Sequence, residues 1–232
     1  VSLTDSEGSL VIVKDESLSA EAYRLNIEKN RIKIEAGDIQ GVNHGLASLL
    51  QLIMTAKDAQ LPVLTIQDKP AFGYRGLMLD CARHFWTVDE LKETLDHMAF
   101  FKLNTLHMHL TDNQAWRLSM DKYPDLVKEG TYYYDFPELS GKYYSKEDLK
   151  EIVTYAGTRG IEIIPEVDLP GHSIALLAAL PELSCRGGKF EATPEERDWN
   201  KRKRGNENMI CIGNPQSFAF AEDVIDALIE IF

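Results

Sequence analysis

Apolar and polar positions change rhythm near residue 70. Before it, residues 10–14 form a short apolar run. Tyr23-Arg24-Leu25-Asn26-Ile27 and Arg31-Ile32-Lys33-Ile34-Glu35 both alternate at period two, which reads as strands. The polar pair Lys29-Asn30 joins them as a hairpin. Residues 41–55 place Leu46, Leu49, Leu50, Ile53 and Met54 at helical spacing. Residues 61–66 return to a strand, with Pro62 near its start. Together these predict a small α+β domain over residues 1–70, closed by the boundary Asp68-Lys69-Pro70.

Beyond Tyr74 the rhythm becomes strand, helix, strand, helix. Strands are expected at residues 76–81, 104–110 and 161–167, and helices at 88–101, 145–158, 173–180 and 218–232. Thr87 with Glu90, and Ser145 with Asp148, have the spacing of capping boxes. Alternating elements with apolar strands imply a parallel sheet covered by helices. The last helix carries Val224, Ile225, Leu228, Ile229 and Phe232, which want a sheet partner, and a three-stranded sheet leaves an open edge. The fold class expected is therefore α/β: a partial (β/α)8 barrel over residues 71–232, three βα units and a following helix, read as a fragment of a longer barrel.

Composition narrows the function. The 232 residues carry 25 Lys+Arg against 37 Asp+Glu, a net charge of −12. That argues against nucleic acid or an anionic membrane as the main partner, since both select a basic face. The run Lys201-Arg202-Lys203-Arg204 has no aromatic interleaving and reads as a solvated loop. No run approaches the length of a membrane span. The chain opens without a leader pattern, which leaves the compartment open. Cys81, Cys185 and Cys211 are widely spaced without C-x-x-C, so three free thiols are expected and no zinc site.

In parallel barrels chemistry sits at the C-terminal ends of strands. Here those ends read Asp80-Cys81-Ala82-Arg83-His84, then His107-Met108-His109-Leu110-Thr111-Asp112-Asn113 with Trp116 beyond, then Glu166-Val167-Asp168-Leu169-Pro170-Gly171-His172. His107 and His109 share one strand face, as do Glu166 and Asp168. The structural alternatives are an ion pair for Asp80 and Arg83 and a turn cap for Asp112. Two imidazoles two apart also suit a metal-dependent barrel hydrolase, whose remaining ligands would have to come from later strands. Tyr132-Tyr133-Tyr134 and Tyr143-Tyr144 suit either rim packing or stacking on sugar faces.

Three runs together carry a resemblance: residues 66–85 with Tyr74-Arg75-Gly76-Leu77-Met78-Leu79-Asp80, residues 104–117 with His107-Met108-His109-Leu110-Thr111-Asp112-Asn113, and Pro165-Glu166-Val167-Asp168-Leu169-Pro170-Gly171-His172. In this order they resemble the barrel entry of the β-N-acetylhexosaminidases of glycoside hydrolase family 20, and residues 1–70 are similar to the auxiliary domain before that barrel. The resemblance implies a retaining exo-glycosidase that removes terminal N-acetylglucosamine or N-acetylgalactosamine without a cofactor or metal. The substrate's own acetamido oxygen attacks the anomeric carbon, a glutamic acid protonates the leaving oxygen, and the preceding aspartate orients the acetamido group. That pair belongs to a Gly-Gly-Asp-Glu-like motif which this sequence lacks, so the catalytic pair is expected beyond Phe232. Arg75 is implied as the arginine that binds sugar hydroxyls. Asp80, His107, His109, Asp112, Trp116, Glu166, Asp168 and His172 are implied as the supporting shell. Asn113 departs from the Asp-Asp seen here in several relatives. The implied partners are an amino-sugar glycan or glycoconjugate and the remainder of the barrel, and the implied compartment is periplasmic, secreted or lysosome-like. Non-catalytic carbohydrate binding on the same half-barrel is the other reading.

Overall fold

The computed structural model describes residues 9–131, 138, 140–187 and 208–232. Tyr132, Tyr133, Tyr134 and the basic run at 201–204 lie outside them. The first sheet contains β1 (Ser9–Lys14), β2 (Tyr23–Glu28), β3 (Arg31–Ala36) and β4 (Leu64–Asp68) in the order β1-β3-β2-β4. β2 pairs antiparallel with β3 and β4, while β1 runs parallel to β3. Alternation decides the face: Tyr23, Leu25 and Ile27 are buried with Ile34, Ala36, Leu49 and Leu61. Helix α1 (Ile39–Thr55) covers that face and starts where the Asp38 side chain accepts from Gly41 N–H. Gly45 permits the close approach, since a Cβ there would meet Ile34 Cγ2 at 2.8 Å. The last strand begins at Leu64 rather than residue 61. Pro62 has no N–H to give a ladder, although Leu61 is still buried.

The second sheet contains β5 (Gly76–Asp80), β6 (Thr105–His109) and β7 (Glu162–Glu166), in that order. Its bonds advance in step: Asn104 N–H to Arg75 O and Cys81 N–H to His109 O, then Glu162 N–H to Asn104 O and Leu110 N–H to Glu166 O. The strands are therefore parallel, linked by α2 (Val88–Phe100) and α4 (Lys146–Gly157). Both capping boxes form: Thr87 N–H donates to Glu90 at 2.7 Å, and Ser145 N–H to Asp148 at 2.9 Å. This is an incomplete (β/α)8 barrel. A short helix α3 (Asp125–Lys128), which periodicity does not reveal, follows β6, and α5 (Ile174–Ala179) follows β7.

The final helix α6 (Pro215–Ile231) starts three residues before the expected Phe218. Asn214 caps it and Pro215 suits its first turn. Phe220, Val224 and Ile231 are buried, whereas Ile225 and Ile229 are exposed, so only part of the expected apolar stripe is covered. The expectation of three free thiols is corrected: Cys185 and Cys211 form a disulfide, and only Cys81 is a free, buried thiol. A bond from Cys211 N–H to Leu183 O, at 2.7 Å, brings these distant cysteines together. By packing, the chain forms two compact units. One holds residues up to Leu77 with Lys92–Thr105 and Tyr155–Glu162; the other holds Met78–Leu91, Leu106–Thr154 and Ile163–Phe232.

Candidate functional site

The site is built from the ends of β5, β6 and β7, within the second unit. Asp80 closes β5 with an Asx-type turn, its Oδ1 accepting from Ala82 N–H at 3.1 Å and Arg83 N–H at 2.9 Å. The turn folds Arg83 back so that Nη1 donates to Asp80 Oδ2 at 2.7 Å, and Nη2 lies 2.5 Å from Asp112 Oδ2. Nε donates to Gln114 at 3.2 Å. On β6, strand alternation puts His107 and His109 on one face, and both reach Glu166. His109 Nδ1 lies 2.5 Å from Glu166 Oε1, and His107 Nε2 bonds the other oxygen. The second ring nitrogen of His109 lies 3.1 Å from Asp112.

Asp112 is the hub. Its side chain is 1% exposed, and it accepts from Asn113 N–H at 2.6 Å and from His172 Nδ1 at 3.0 Å besides Arg83 and His109. His172 is delivered by backbone in the left-handed region, φ 53°. Asp168 is fixed through its backbone, its N–H donating to Thr111 Oγ1 at 3.0 Å.

These contacts set the charges. The hydrogen bond to Asp112, and then that to Glu166, outweigh burial and push the His109 imidazole up to about 9, so it is a cation at neutral pH. Burial alone would raise Asp112, but the bonds from His109, Asn113 N–H and His172 and the charge of Arg83 lower it. Glu166 is likewise lowered, its burial outweighed by His109 and His107. Asp168 goes the other way: burial, with Asp112 and Glu166 nearby, raises it against the pull of His109 and His172.

Seven of the shell residues read from the sequence are thus neighbours: Asp80, His107, His109, Asp112, Glu166, Asp168 and His172. Trp116 is not in the network. It is buried, donates Nε1–H to Leu118 O at 2.7 Å and packs on Phe220. Arg75 also lies apart from this network. It precedes β5, at the strand's N-terminal end, and its guanidinium pairs with Glu21 (Nη2 to Oε1, 2.8 Å; Nη1 to Oε2, 3.1 Å), Lys102 O and Phe72 O. Arg83, read from the sequence only as an ion-pair partner of Asp80, does pair with it, and it also reaches Asp112, which its spacing of three from Asp80 does not reveal.

Two groups, His109/Glu166/Asp168 and Asp112/Asp168/His172, bring donor atoms within 4.8 Å of one another. The first group does not suit a metal. A ligating imidazole is neutral and offers a lone pair, whereas both nitrogens of His109 are committed to carboxylates and the ring is held as a cation.

A parallel α/β barrel with carboxylates, imidazoles and a guanidinium joined at its strand ends has the organisation of a barrel enzyme site. The comparisons specify which. Residues 72–232 match the catalytic domain of glycosyl hydrolase family 20, and residues 2–69 match domain 2 of that family. The chain belongs to glycoside hydrolase family 20. It is 37% identical to a β-hexosaminidase of Porphyromonas gingivalis over 93% of its own length and 28% of that protein. With a β-hexosaminidase of Akkermansia muciniphila it shares 38% identity, over 93% of this chain and 44% of the relative. The crystal structure of a Bacteroides fragilis β-N-acetylhexosaminidase superposes with a TM-score of 0.85 at 32% identity, covering 96% of this chain and 43% of that one. A Vibrio harveyi exo-β-N-acetylglucosaminidase in complex with N-acetylglucosamine gives 0.82 at 34% identity, covering 96% and 36%. The chain thus spans less than half the length of these relatives.

Proposed function

We propose that the protein carrying this chain is an exo-β-N-acetylhexosaminidase that removes terminal N-acetylglucosamine or N-acetylgalactosamine by substrate-assisted, retaining hydrolysis. Residues 1–70 serve as its auxiliary domain and 71–232 as part of its catalytic barrel. The observation that carries this reading is the single network joining Asp80, Arg83, Asp112, His109, Glu166 and His107 across three strand ends. Arg83, not Arg75, is the guanidinium that meets sugar hydroxyls. Its side chain is 43% exposed; Nη1, Nη2 and Nε meet Asp80, Asp112 and Gln114, Nη1 also lies 3.5 Å from His109 Nε2, and the rest of the fork is open to a ligand. Asp112, fixed by four donors, and the cation at His109 supply the rigid, charged wall behind the reacting sugar. The acid and the acetamido-orienting aspartate lie in a Gly-Gly-Asp-Glu-like motif that these 232 residues do not contain. The disulfide favours an oxidising compartment.

The test assays the intact protein on an aryl N-acetyl-β-glucosaminide and on the matching glucoside without an acetamido group. Turnover of the first alone is expected. No turnover, or equal turnover of both, overturns the proposal. The 232-residue chain alone is expected to be inactive, since general acid catalysis is worth ~10²–10⁴-fold. Robust activity of that chain would point instead to Asp168, the one of these carboxyls that burial and its acidic neighbours push upward.

A further inference from the structure

Arg117 is fully buried, 0% exposed, and the reaction above makes no use of it. Among the described residues, its guanidinium reaches two separate segments. Nε donates to Cys81 O at 3.2 Å, Nη2 to Ala82 O at 3.1 Å, and Nη1 to Lys142 O at 2.6 Å. The Phe85 ring, stacked on Tyr144, lies 5.5 Å from its central carbon. The base of this side chain is itself fixed, because Arg117 N–H donates to Leu110 O and Arg117 O accepts from Tyr144 N–H.

The turn that Arg117 grips is the one that presents Arg83. Asp80 binds its amides, at Ala82 and Arg83, and Arg117 binds its carbonyls, at Cys81 and Ala82. Held on both sides, the turn has little freedom to move, and Arg83 leaves it toward Asp112. A buried guanidinium carries a desolvation cost that an apolar residue of the same size avoids. What it supplies in return is geometry: a planar fork with divergent donors, which an ammonium on a flexible stem does not reproduce. We infer that Arg117 is a positioning residue, which fixes the 80–83 turn and thereby aims the Arg83 guanidinium at the substrate. This rests on the reading of Arg83 as the sugar-facing arginine.

The test uses Arg117→Lys, Arg83→Ala and the double variant in the intact protein, with two readouts. In the first, Arg117→Lys lowers kcat/KM on the aryl N-acetyl-β-glucosaminide at least about tenfold, as misplacement of a contact group does. In the Arg83→Ala background the same change causes no further loss. Additive losses, or an unchanged kcat/KM in the folded variant, overturn the inference. The second readout needs no activity: ¹⁵N NMR of the Arg83 guanidinium, whose paired Nη signals are resolved in the wild type and are averaged in Arg117→Lys. Unaltered Arg83 signals overturn the inference. If the wild type does not hydrolyse the substrate, the hexosaminidase reading fails and the NMR readout alone decides the role of Arg117. Should Arg117→Lys fail to fold, Arg117→Met, apolar and unbranched, takes its place in both arms.

Discussion

Replacing Asp112 by asparagine tests the electrostatic account of the site most directly. His109 is held at about 9 against an ordinary 6.5, chiefly by its bond to Asp112 and then by Glu166. That difference corresponds to about 3 kcal/mol, at about 1.4 kcal/mol per unit. The sign follows from the direction. The folded value is raised, so this stabilisation is complete below the unfolded pKa of 6.5 and is lost as pH rises through about 9. Asparagine has no charge, and its NH2 group must face one of the donors His109, His172 or Arg83. The His109 value should fall by about one unit or more, and the protein should lose about 3 kcal/mol at pH 7, as when one partner of a buried ion pair is removed. For a chain of this size that corresponds to a Tm lower by about 10 °C. Titration of His109 by NMR gives the first quantity, and denaturant unfolding between pH 6 and pH 10 gives the second. The stability difference between wild type and Asp112→Asn should shrink across the upper part of that range, because the variant, with its lower His109 value, has already lost its own stabilisation while the wild type is still losing it. A His109 that titrates unchanged in the variant, or a difference constant with pH, would refute the reasoning.

Other outcomes follow from the same geometry. Arg75→Ala should destabilise the fold by about 2–3 kcal/mol, because it strands the largely buried carboxylate of Glu21. kcat/KM of the folded intact variant should stay close to wild type, and a tenfold fall without a change in Tm would return Arg75 to the sugar site. Changing both Cys185 and Cys211 to serine should cost about 3 kcal/mol, read by urea unfolding, since the bond closes a loop with a sequence separation of 26. Dialysis of the intact protein against a strong chelator should leave hydrolysis unchanged, because His109 spends both nitrogens on carboxylates. Loss of activity restored by zinc would contradict this.

Much of the molecule was legible in its sequence because the signals there are local. Period-two runs gave β2 and β3, side-chain spacing of three gave both capping boxes, and alternation put His107 and His109 on one face, though not their meeting with Glu166. Motif order gave the family. Helix ends were blurred where a cap outranks periodicity, as at Asn214-Pro215. Other features depend on what the folded chain brings together, and no spacing rule encodes them. Cys185 meets Cys211 only because the backbone joins residues 183 and 211. The two arginines of the first motif differ in their partners by which end of β5 they occupy. Arg75 precedes the strand and is neutralised by Glu21, whereas Arg83 follows it and is turned onto Asp112 by Asp80 and Arg117. A guanidinium is the same group in both places. Its partners, and hence its charge environment and exposure, are set by tertiary structure.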